Sequence, residues 1–298
     1  MINFVIIGIA IFIGMYLKKY QNLPENSHRV INLWIIYIAL PAIALLYIPK
    51  INLNKDLGLI IATPWLILLG NFIFLQLLRP FVRLDLKTQA ALMLTVGFSN
   101  MSFLGFPITE AFYGKEGLQL AIFCDQSGFI TVSSLGILIA SYASQKEGKF
   151  NLKNLVKKIF NFPPTLAFIA AVTLPKYLNF TPITPILESL AATMVPMALF
   201  SIGLQIQFKE RSSDTKVISY ALLYKLLLAP CLILGVSYIW KAAPLYTQVS
   251  VIESAMAPMV VGTIIATEFG LRPKLCNTIL SIGIPISFLS CYLWSLIL

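Results

Sequence analysis

The sequence contains little charge. Asp, Glu, Lys and Arg make up 11% of its 298 residues, whereas an average soluble domain has about 25%. Hydrophobic residues account for 58%, and the mean hydropathy is +0.84. Apolar runs recur along the whole chain with only short polar breaks, so no separate soluble domain is expected. The composition predicts a protein that crosses a membrane several times.

Histidine, cysteine motifs and catalytic signatures are also scarce. The single histidine, His28, has too few acidic neighbours to build a metal site. The four cysteines lie in apolar segments without Cys-x-x-Cys spacing, which favours packing over disulfides or metal binding. They are Cys124, Cys231, Cys276 and Cys291. Because no zinc-protease, nucleophile-elbow or phosphate-loop motif is present, the sequence predicts no enzyme, no cofactor and no use of ATP.

Ten apolar windows lie between the polar breaks. A helix needs about 20 mostly apolar residues to cross a bilayer, so the predicted fold is an all-α membrane protein with ten transmembrane helices. The first window lacks a basic start and a small-residue exit, and is interpreted as a span instead of a cleaved signal. The windows are 2–17, 29–48, 57–79, 88–113, 117–143, 159–178, 184–207, 216–240, 245–269 and 273–297.

Basic residues are distributed unevenly between the loops. Most of the 22 Lys and Arg residues lie in odd-numbered loops, and positively charged short loops stay in the cytoplasm. The predicted orientation therefore has cytoplasmic odd-numbered loops and both termini outside. Contact with anionic lipid accounts for most of the net charge of +10, so no nucleic-acid partner is expected.

The most hydrophilic break divides the ten windows into two sets of five. We predict a first five-helix repeat over 1–143, a cytoplasmic linker over 144–158 and a second repeat over 159–298. Because five is odd, the second repeat enters the membrane in the opposite sense, which predicts inverted repeats and alternating access. Similar residues recur in the same order in both halves: Leu40-Pro41 and Val195-Pro196, Thr88-Gln89 and Thr247-Gln248, Gly114 and Gly270.

The fourth and ninth windows contain helix-breaking residues at mid-membrane depth. Residues 97–107 include two glycines, two serines, an asparagine and a proline, and residues 255–263 include a proline and a glycine. Non-helical backbone survives at that depth only where it is buried in protein or lines a cavity. Amide N–H groups at a half-helix start suit an anion, whereas freed carbonyls suit a cation. We predict that the two breaks meet at a substrate site; ordinary proline kinks are the alternative.

Motifs at these breaks and beyond carry a family resemblance. They are Asn100-Met-Ser-Phe-Leu-Gly105-Phe-Pro107, Gly114-Lys-Glu-Gly117, Asp125, Phe162-Pro163-Pro164, Pro196, Ser201-Ile-Gly203-Leu-Gln205 and Ala255-Met256-Ala257-Pro258. With them the chain resembles the auxin efflux carrier family of plant auxin exporters and bacterial organic-acid permeases. The resemblance implies two inverted repeats, and an elevator-type transport domain whose broken helices cross at the substrate site beside a scaffold domain.

The resemblance also implies a set of site residues. Asn100 occupies the first crossing and contacts the substrate, and Pro258 marks the second. Two departures from plant exporters, the short linker and a third window with Asn71 and Gln76 but no acidic residue, make a bacterial inner-membrane permease the closer comparison. The predicted substrate-binding residues are Ser99, Asn100, Met101, Ser102, Gly105, Pro107, Ala257, Pro258 and Met259.

Ionisable residues inside the windows cost about 2.5–3.5 kcal/mol each on insertion scales and are functional hypotheses by default. Asp125, Glu253 and Lys225 are the predicted coupling or charge-balancing residues. Either carboxyl is a hypothetical proton carrier, and Lys225 is a partner for one of them or for an anionic substrate. The alternative is a buried ion pair or interhelical hydrogen bond that only fixes the bundle. Glu110 and Glu268 lie near window ends, where interfacial solvation accounts for them.

The predicted function is secondary transport of small organic anions, such as malate, malonate or an auxin-like compound, coupled to protons or sodium. The expected partners are the substrate, membrane lipid and, as a hypothesis, a second copy of the chain in a homodimer. Two alternatives stay open: a sodium-coupled symporter of the bile-acid type, which is related in fold, and a membrane sensor or lipid-binding module without turnover. Sodium dependence of uptake tests the first, and ligand binding without flux tests the second.

Overall fold

The computed structural model describes residues 2–21, 23–24, 27–50, 54–82, 84–144, 161–176, 181–205 and 214–298. These residues form helices and no β-sheet, as predicted for the all-α class. The α-helices are α1 (Ile2–Tyr20), α2 (Ser27–Trp34), α3 (Leu40–Tyr47), α4 (Leu57–Leu78), α5 (Leu86–Val96), α6 (Phe106–Thr131), α7 (Ile137–Ser144), α8 (Pro163–Thr173), α9 (Thr184–Ala191), α10 (Met194–Gln205), α11 (Thr215–Leu223), α12 (Ala229–Trp240), α13 (Pro244–Ala255), α14 (Val260–Glu268) and α15 (Pro273–Ile297). Short π-helical turns interrupt the described chain at Ile35–Ala39, Met101–Gly105, Val132–Gly136 and Tyr224–Leu228.

Six helical stretches of the described residues have the length and hydropathy of a membrane span. They are Ser27–Lys50, Leu57–Leu78, Met101–Ser144, Thr181–Gln205, Thr215–Trp240 and Pro273–Ile297. Shorter apolar helices accompany them: α5 and α8 have 11 residues each, α13 has 12 and α14 has 9. The predicted linker, apart from Ser144, lies outside the described residues, as does the start of the predicted sixth window.

The longest stretch, Met101–Ser144, contains a change of direction. Its 44 residues would extend about 66 Å as one helix, twice the bilayer core of about 30 Å. The chain turns at Gly114, where φ is 65° and ψ is −162°, a conformation that is essentially restricted to glycine. Gly270 also has a positive φ, of 69°, two residues after the end of α14. Gly114 thus separates the predicted fourth and fifth windows.

The helices pack in two groups. In the first helix group (α1–α3 and α8–α10), α1 packs against α10, and α3 packs against α8 and α9. In the second helix group (α4–α7 and α11–α15), α6 packs against α4 and α13, and α5 packs against α14. The groups meet where α10 contacts the π turn Met101–Gly105 and where α1 and α3 approach α6. Each group therefore combines helices from both halves of the sequence.

Glycines allow the closest approach within the first helix group. A Cβ on Gly14 would lie 2.4 Å from the carbonyl oxygen of Phe200, and one on Gly203 would lie 2.3 Å from that of Ile11. Helices in lipid associate through such small residues because close backbone contact maximises van der Waals packing. The α1–α10 pair consequently joins the two halves of the chain.

The two short helices that lead into the breaks begin differently. The Asp85 side chain caps α5 by accepting a hydrogen bond from the Thr88 backbone N–H at 2.9 Å. Hydrogen bonding to Thr88 lowers the pKa of Asp85 below its ordinary value. Helix α13 instead begins with Pro244, whose fixed φ and missing N–H suit the first helical position. Helix α5 ends at Val96 and helix α13 ends at Ala255, each directly before a non-helical break.

Candidate functional site at the crossed helix breaks

Two non-helical segments interrupt the apolar sequence, the first break (residues 97–100) and the second break (residues 256–259). The breaks pair in antiparallel fashion at Ser99 and Pro258. The backbone N–H of Asn100 donates to the Ala257 carbonyl at 3.0 Å, and that of Met259 donates to the Thr95 carbonyl at 3.0 Å. Because these bonds satisfy backbone groups that the helices cannot, the breaks hold each other in place.

Glycines determine how closely the two breaks and their helices approach. A Cβ on Gly97 would lie 2.3 Å from the Met93 carbonyl oxygen, so only glycine fits the turn that ends α5. A Cβ on Gly262 would lie 1.8 Å from the Leu94 carbonyl oxygen, and one on Gly283 would lie 2.5 Å from Pro258 Cδ. Gly262 therefore lets α14 approach Leu94 closely, and Gly283 lets α15 approach Pro258. A larger residue at either position would force these elements apart.

Asn100 lies at the centre of this arrangement with an unused donor. Its side chain is buried, and its Nδ2 has no hydrogen-bond partner among the described residues. The backbone carbonyl oxygen of Asn100 accepts a hydrogen bond from the Gly105 N–H at 3.0 Å. This bond begins the helix that follows. A buried amide without a partner costs about 1–3 kcal/mol. Such a group is suited to bind a ligand oxygen.

The residues after the first break form a polar face on a π turn. The Ser102 hydroxyl donates to Asp125 Oδ1 at 2.8 Å, which links this turn to α6. A Cβ on Gly128 would lie 3.2 Å from the Met101 sulfur, so Met101 packs onto α6 at a glycine. π turns are rare and occur often at functional sites. Here the turn directs Ser102 towards the buried carboxyl of Asp125.

Glu253 precedes the second break but contacts the chain after the first. It is fully buried, and its Oε1 accepts a hydrogen bond from the Thr109 hydroxyl at 2.8 Å. Its Oε2 has no partner among the described residues. A Cβ on Gly105 would lie 2.3 Å from Oε2, so the absence of a side chain there makes room for the carboxyl. Glu253 thus couples the two breaks through one acidic group.

Lys225 also reaches both breaks. It is fully buried on the π turn Tyr224–Leu228. Its ammonium donates to the Ser99 hydroxyl and, at 3.0 Å, to the Ser254 carbonyl. Among the described residues the only ion pair joins Arg272 and Asp214. The predicted pairing of Lys225 with a carboxyl is therefore absent from the described part of the chain, and hydrogen bonds to the breaks take its place.

A cavity of about 630 Å³ opens between the two helix groups. The second helix group contributes Pro107, Glu110 and Lys115, and the first contributes Tyr47, Glu188 and Pro196. Its other lining residues are mainly apolar. Such a partly polar cleft at a boundary between packed bodies is the usual setting for a small-molecule site.

The predicted site residues divide between these features. Five of them form the paired backbone: Ser99, Asn100, Ala257, Pro258 and Met259. Met101, Ser102 and Gly105 lie on the π turn, and Pro107 lines the cavity. Sequence reasoning missed the contacts of Thr109, Ser254 and Glu188. Thr109 lies one helical turn after Gly105, and this spacing could have indicated that it faces the same site. Glu188 is remote in sequence, and no local pattern indicated its position.

Helices of membrane-spanning length and two paired breaks define a polytopic integral membrane protein. A profile described as membrane transport protein matches residues 1–295. The chain belongs to this family, the auxin efflux carrier family that its motifs resemble, so that prediction is confirmed.

Similar proteins are also named as transporters. An uncharacterized transporter of Methanothermobacter thermautotrophicus is 28% identical over 97% of this chain and 95% of its own length. A second, from Methanocaldococcus jannaschii, is 27% identical over 98% of this chain and 97% of its own length. The uncharacterized transporter YfdV of Escherichia coli is 23% identical over 96% of this chain and 93% of its own length. Family and relatives agree on transport.

Proposed function

We propose that this protein is a secondary carrier that moves small organic anions by alternating access. The observation that carries the proposal is the buried Asn100 Nδ2, which has no hydrogen-bond partner among the described residues, at the point where two helix breaks pair. The π turn Met101–Gly105, which runs into α6, and helix α14 begin directly after these breaks, and the unbonded N–H groups and positive dipole end of such helix starts attract anions. This environment favours a carboxylate, such as that of malate, malonate or an auxin-like acid.

We further propose that the fold is a ten-span inverted repeat. The contacts support it because they occur in symmetric pairs: α1 with α10 answers α3 with α8, and α5 with α14 answers α13 with α6. The two glycines with positive φ occupy equivalent places in the halves. Under this symmetry the first helix group is the scaffold, and the second helix group is the body that moves past it as an elevator.

The cavity between the groups is the proposed entry to the site. In the orientation predicted from basic residues, with both termini outside a bacterial inner membrane, Lys115 and Glu188 lie at its external end. The lining has one lysine and two glutamates, so it does not concentrate anions by charge. Selection for the anion then occurs deeper, at Asn100 and the helix starts.

Glu253 is the proposed proton carrier. Its carboxyl is fully buried, and its Oε2 has no partner within the described part of the chain. Such a group is costly when ionised, so a proton bound at Oε2 relieves that cost. Asp125 is the second candidate, and its Oδ1 is stabilised by Ser102. Proton movement on Glu253 affects both breaks because its carboxyl contacts Thr109 and Gly105 beyond the first and lies just before the second.

The test is uptake of labelled malate, malonate and indole-3-acetate into proteoliposomes, with proton and sodium gradients imposed separately. Saturable uptake that follows the proton gradient supports the proposal. Uptake that follows sodium alone favours a symporter of the bile-acid type. Binding of an anion without any flux in sealed vesicles overturns the carrier and favours a membrane sensor.

A further inference from the structure

Lys225 is placed where a small cation would otherwise be held. We infer that its ammonium substitutes for a coupling sodium ion between the two breaks, so that this protein needs no metal cation there; the inference rests on the proposed carrier function. The ammonium binds the Ser99 hydroxyl in the first break and the Ser254 carbonyl beside the second. In carriers with broken helices, unwound carbonyls and half-helix carboxyl ends are the groups that hold sodium.

The Ser99 hydroxyl and the Ser254 carbonyl are suited to bind either a sodium ion or an ammonium group. Hydroxyl and carbonyl oxygens are the ligands that hard cations prefer. Helix α13 ends at Ala255, so the Ser254 carbonyl belongs to its last turn, at the negative end of the helix dipole. An ammonium carries one positive charge and three donors. It therefore supplies the charge of sodium and binds the same oxygens.

The local fold fixes the ammonium at this point. Lys225 lies on a π turn whose freed Leu226 carbonyl accepts from Ser290 Oγ at 2.7 Å and from Trp294 Nε1 at 3.1 Å. These bonds to α15 hold the turn open, and the lysine stem passes from it into the protein. The side chain is fully buried, so the ammonium cannot reach an aqueous or lipid interface as exposed lysines in spans do.

Among the described residues, no carboxylate forms a direct ion pair with this lysine. Asp125 and Glu253 are the buried carboxyls beside the breaks, yet neither lies within 4.0 Å of the ammonium among the described ion pairs. Asp125 binds Ser102, and Glu253 binds Thr109. The contacts of Lys225 are neutral oxygens, namely the Ser99 hydroxyl in the first break and the Ser254 carbonyl at the end of α13. A cation bound to such oxygens organises the backbone, as a coupling ion does.

The experiment compares the purified wild type, Lys225→Ala and Lys225→Met in sodium, methylammonium and choline chloride at equal ionic strength. The Tm of the wild type is expected to be the same in sodium and choline. Lys225→Ala leaves a space beside the two oxygens, and sodium or methylammonium should raise its Tm by about 2–4 °C relative to choline. Lys225→Met fills that space without a charge, so its Tm should not respond. Lys216→Ala, an exposed lysine in α11, is the matched control.

Two results overturn the inference: a sodium-specific rise in the wild-type Tm, or identical responses of Lys225→Ala and Lys225→Met. If Lys225→Ala does not fold, the wild-type comparison of sodium with choline decides. In proteoliposomes, wild-type uptake should be equal in sodium and choline. Absence of uptake for every anion tested counts against the carrier function, and the Tm measurements then still decide the cation question.

Discussion

The two helix breaks pair with each other but supply different chemistry. The first provides side chains, with the Ser99 hydroxyl and the Asn100 amide at its end. The second consists of Met256, Ala257, Pro258 and Met259, and contributes backbone groups: the Ala257 carbonyl accepts from the Asn100 N–H, and the Met259 N–H donates to Thr95. One break therefore presents the functional groups, and the other shapes and supports them.

This difference shows that two paired breaks need not contribute the same kind of chemical group. The polar contacts around the second break come from elements outside it, namely Lys225 and Glu253, and both reach across to the first. A ligand bound at Asn100 is thus surrounded by groups from both halves. The comparison leads to four predictions, in order of expected effect.

The largest effect is expected for Asn100→Ala. A hydrogen bond to a charged group contributes about 1.5–3 kcal/mol, so substrate affinity or flux should fall about 10- to 100-fold. Uptake into proteoliposomes, normalised to the amount of inserted protein, measures this. Met256→Leu in the second break keeps the volume and every backbone amide, and should reduce flux less.

Asn161→Ala is the control for Asn100→Ala, because Asn161 is exposed and lies outside both breaks. Equal losses of flux in Asn100→Ala and Met256→Leu would contradict the distinction between a first break that supplies functional side chains and a second break that supports them. Unchanged flux in Asn100→Ala across the three anions would remove Asn100 from the site.

Replacing the buried carboxyls sharpens the comparison, because Glu253 lies on α13 just before the second break and Asp125 accepts a hydrogen bond from Ser102 just after the first. Glu253→Gln keeps the shape of the side chain but cannot exchange a proton. It should abolish accumulation driven by a pH difference, which for one coupled proton is about tenfold per pH unit. Asp125→Asn should retain most of that accumulation. The opposite outcome, with coupling lost only in Asp125→Asn, would assign the proton to Asp125.

Much of this arrangement was predictable from local sequence. Gly97, Ser99 and Asn100 in an apolar run predicted that the fourth span would be interrupted, and α5 ends at Val96. Gly114 was predicted as a boundary, and its φ of 65° explains why a glycine is needed. These features depend on the residue itself and its neighbours along the chain, which is the information that a single sequence contains.

The remaining features depend on residues that are distant in sequence. Nothing near Lys225 indicates that its ammonium meets Ser99, and nothing near Glu188 indicates that it shares a cavity with Pro107. The π turn at Tyr224–Leu228 was not predicted either, because Ser290 and Trp294 on α15 stabilise its free carbonyl. Partners of this kind are set by tertiary packing, which periodicity and composition do not specify.

Glycine substitutions test the supporting role of the second break. A Cβ on Gly262 would lie 1.8 Å from the Leu94 carbonyl, so Gly262→Ala must displace α14 from α5. The expected loss is about 1–3 kcal/mol of unfolding free energy, the usual cost of overpacking. Gly235→Ala, in α12, meets nothing within 4 Å and should be neutral or stabilising, by up to about 1 kcal/mol. Thermal unfolding in detergent compares the two; equal Tm values would show that the breaks do not need this close contact.

The smallest effect is expected at the helix starts, where Asp85 caps α5 and Pro244 begins α13. Removing the cap in Asp85→Ala should cost about 1 kcal/mol. Because hydrogen bonding to Thr88 lowers the pKa of Asp85 in the folded state, its contribution is present above the unfolded pKa of about 3.9 and is lost as the pH falls through the lower, folded pKa. The difference in Tm between wild type and Asp85→Ala should therefore be constant from about pH 6 to 8 and shrink in acid. A difference that grows in acid would contradict the cap, whereas no difference at any pH would mean that α5, like α13, depends on packing alone.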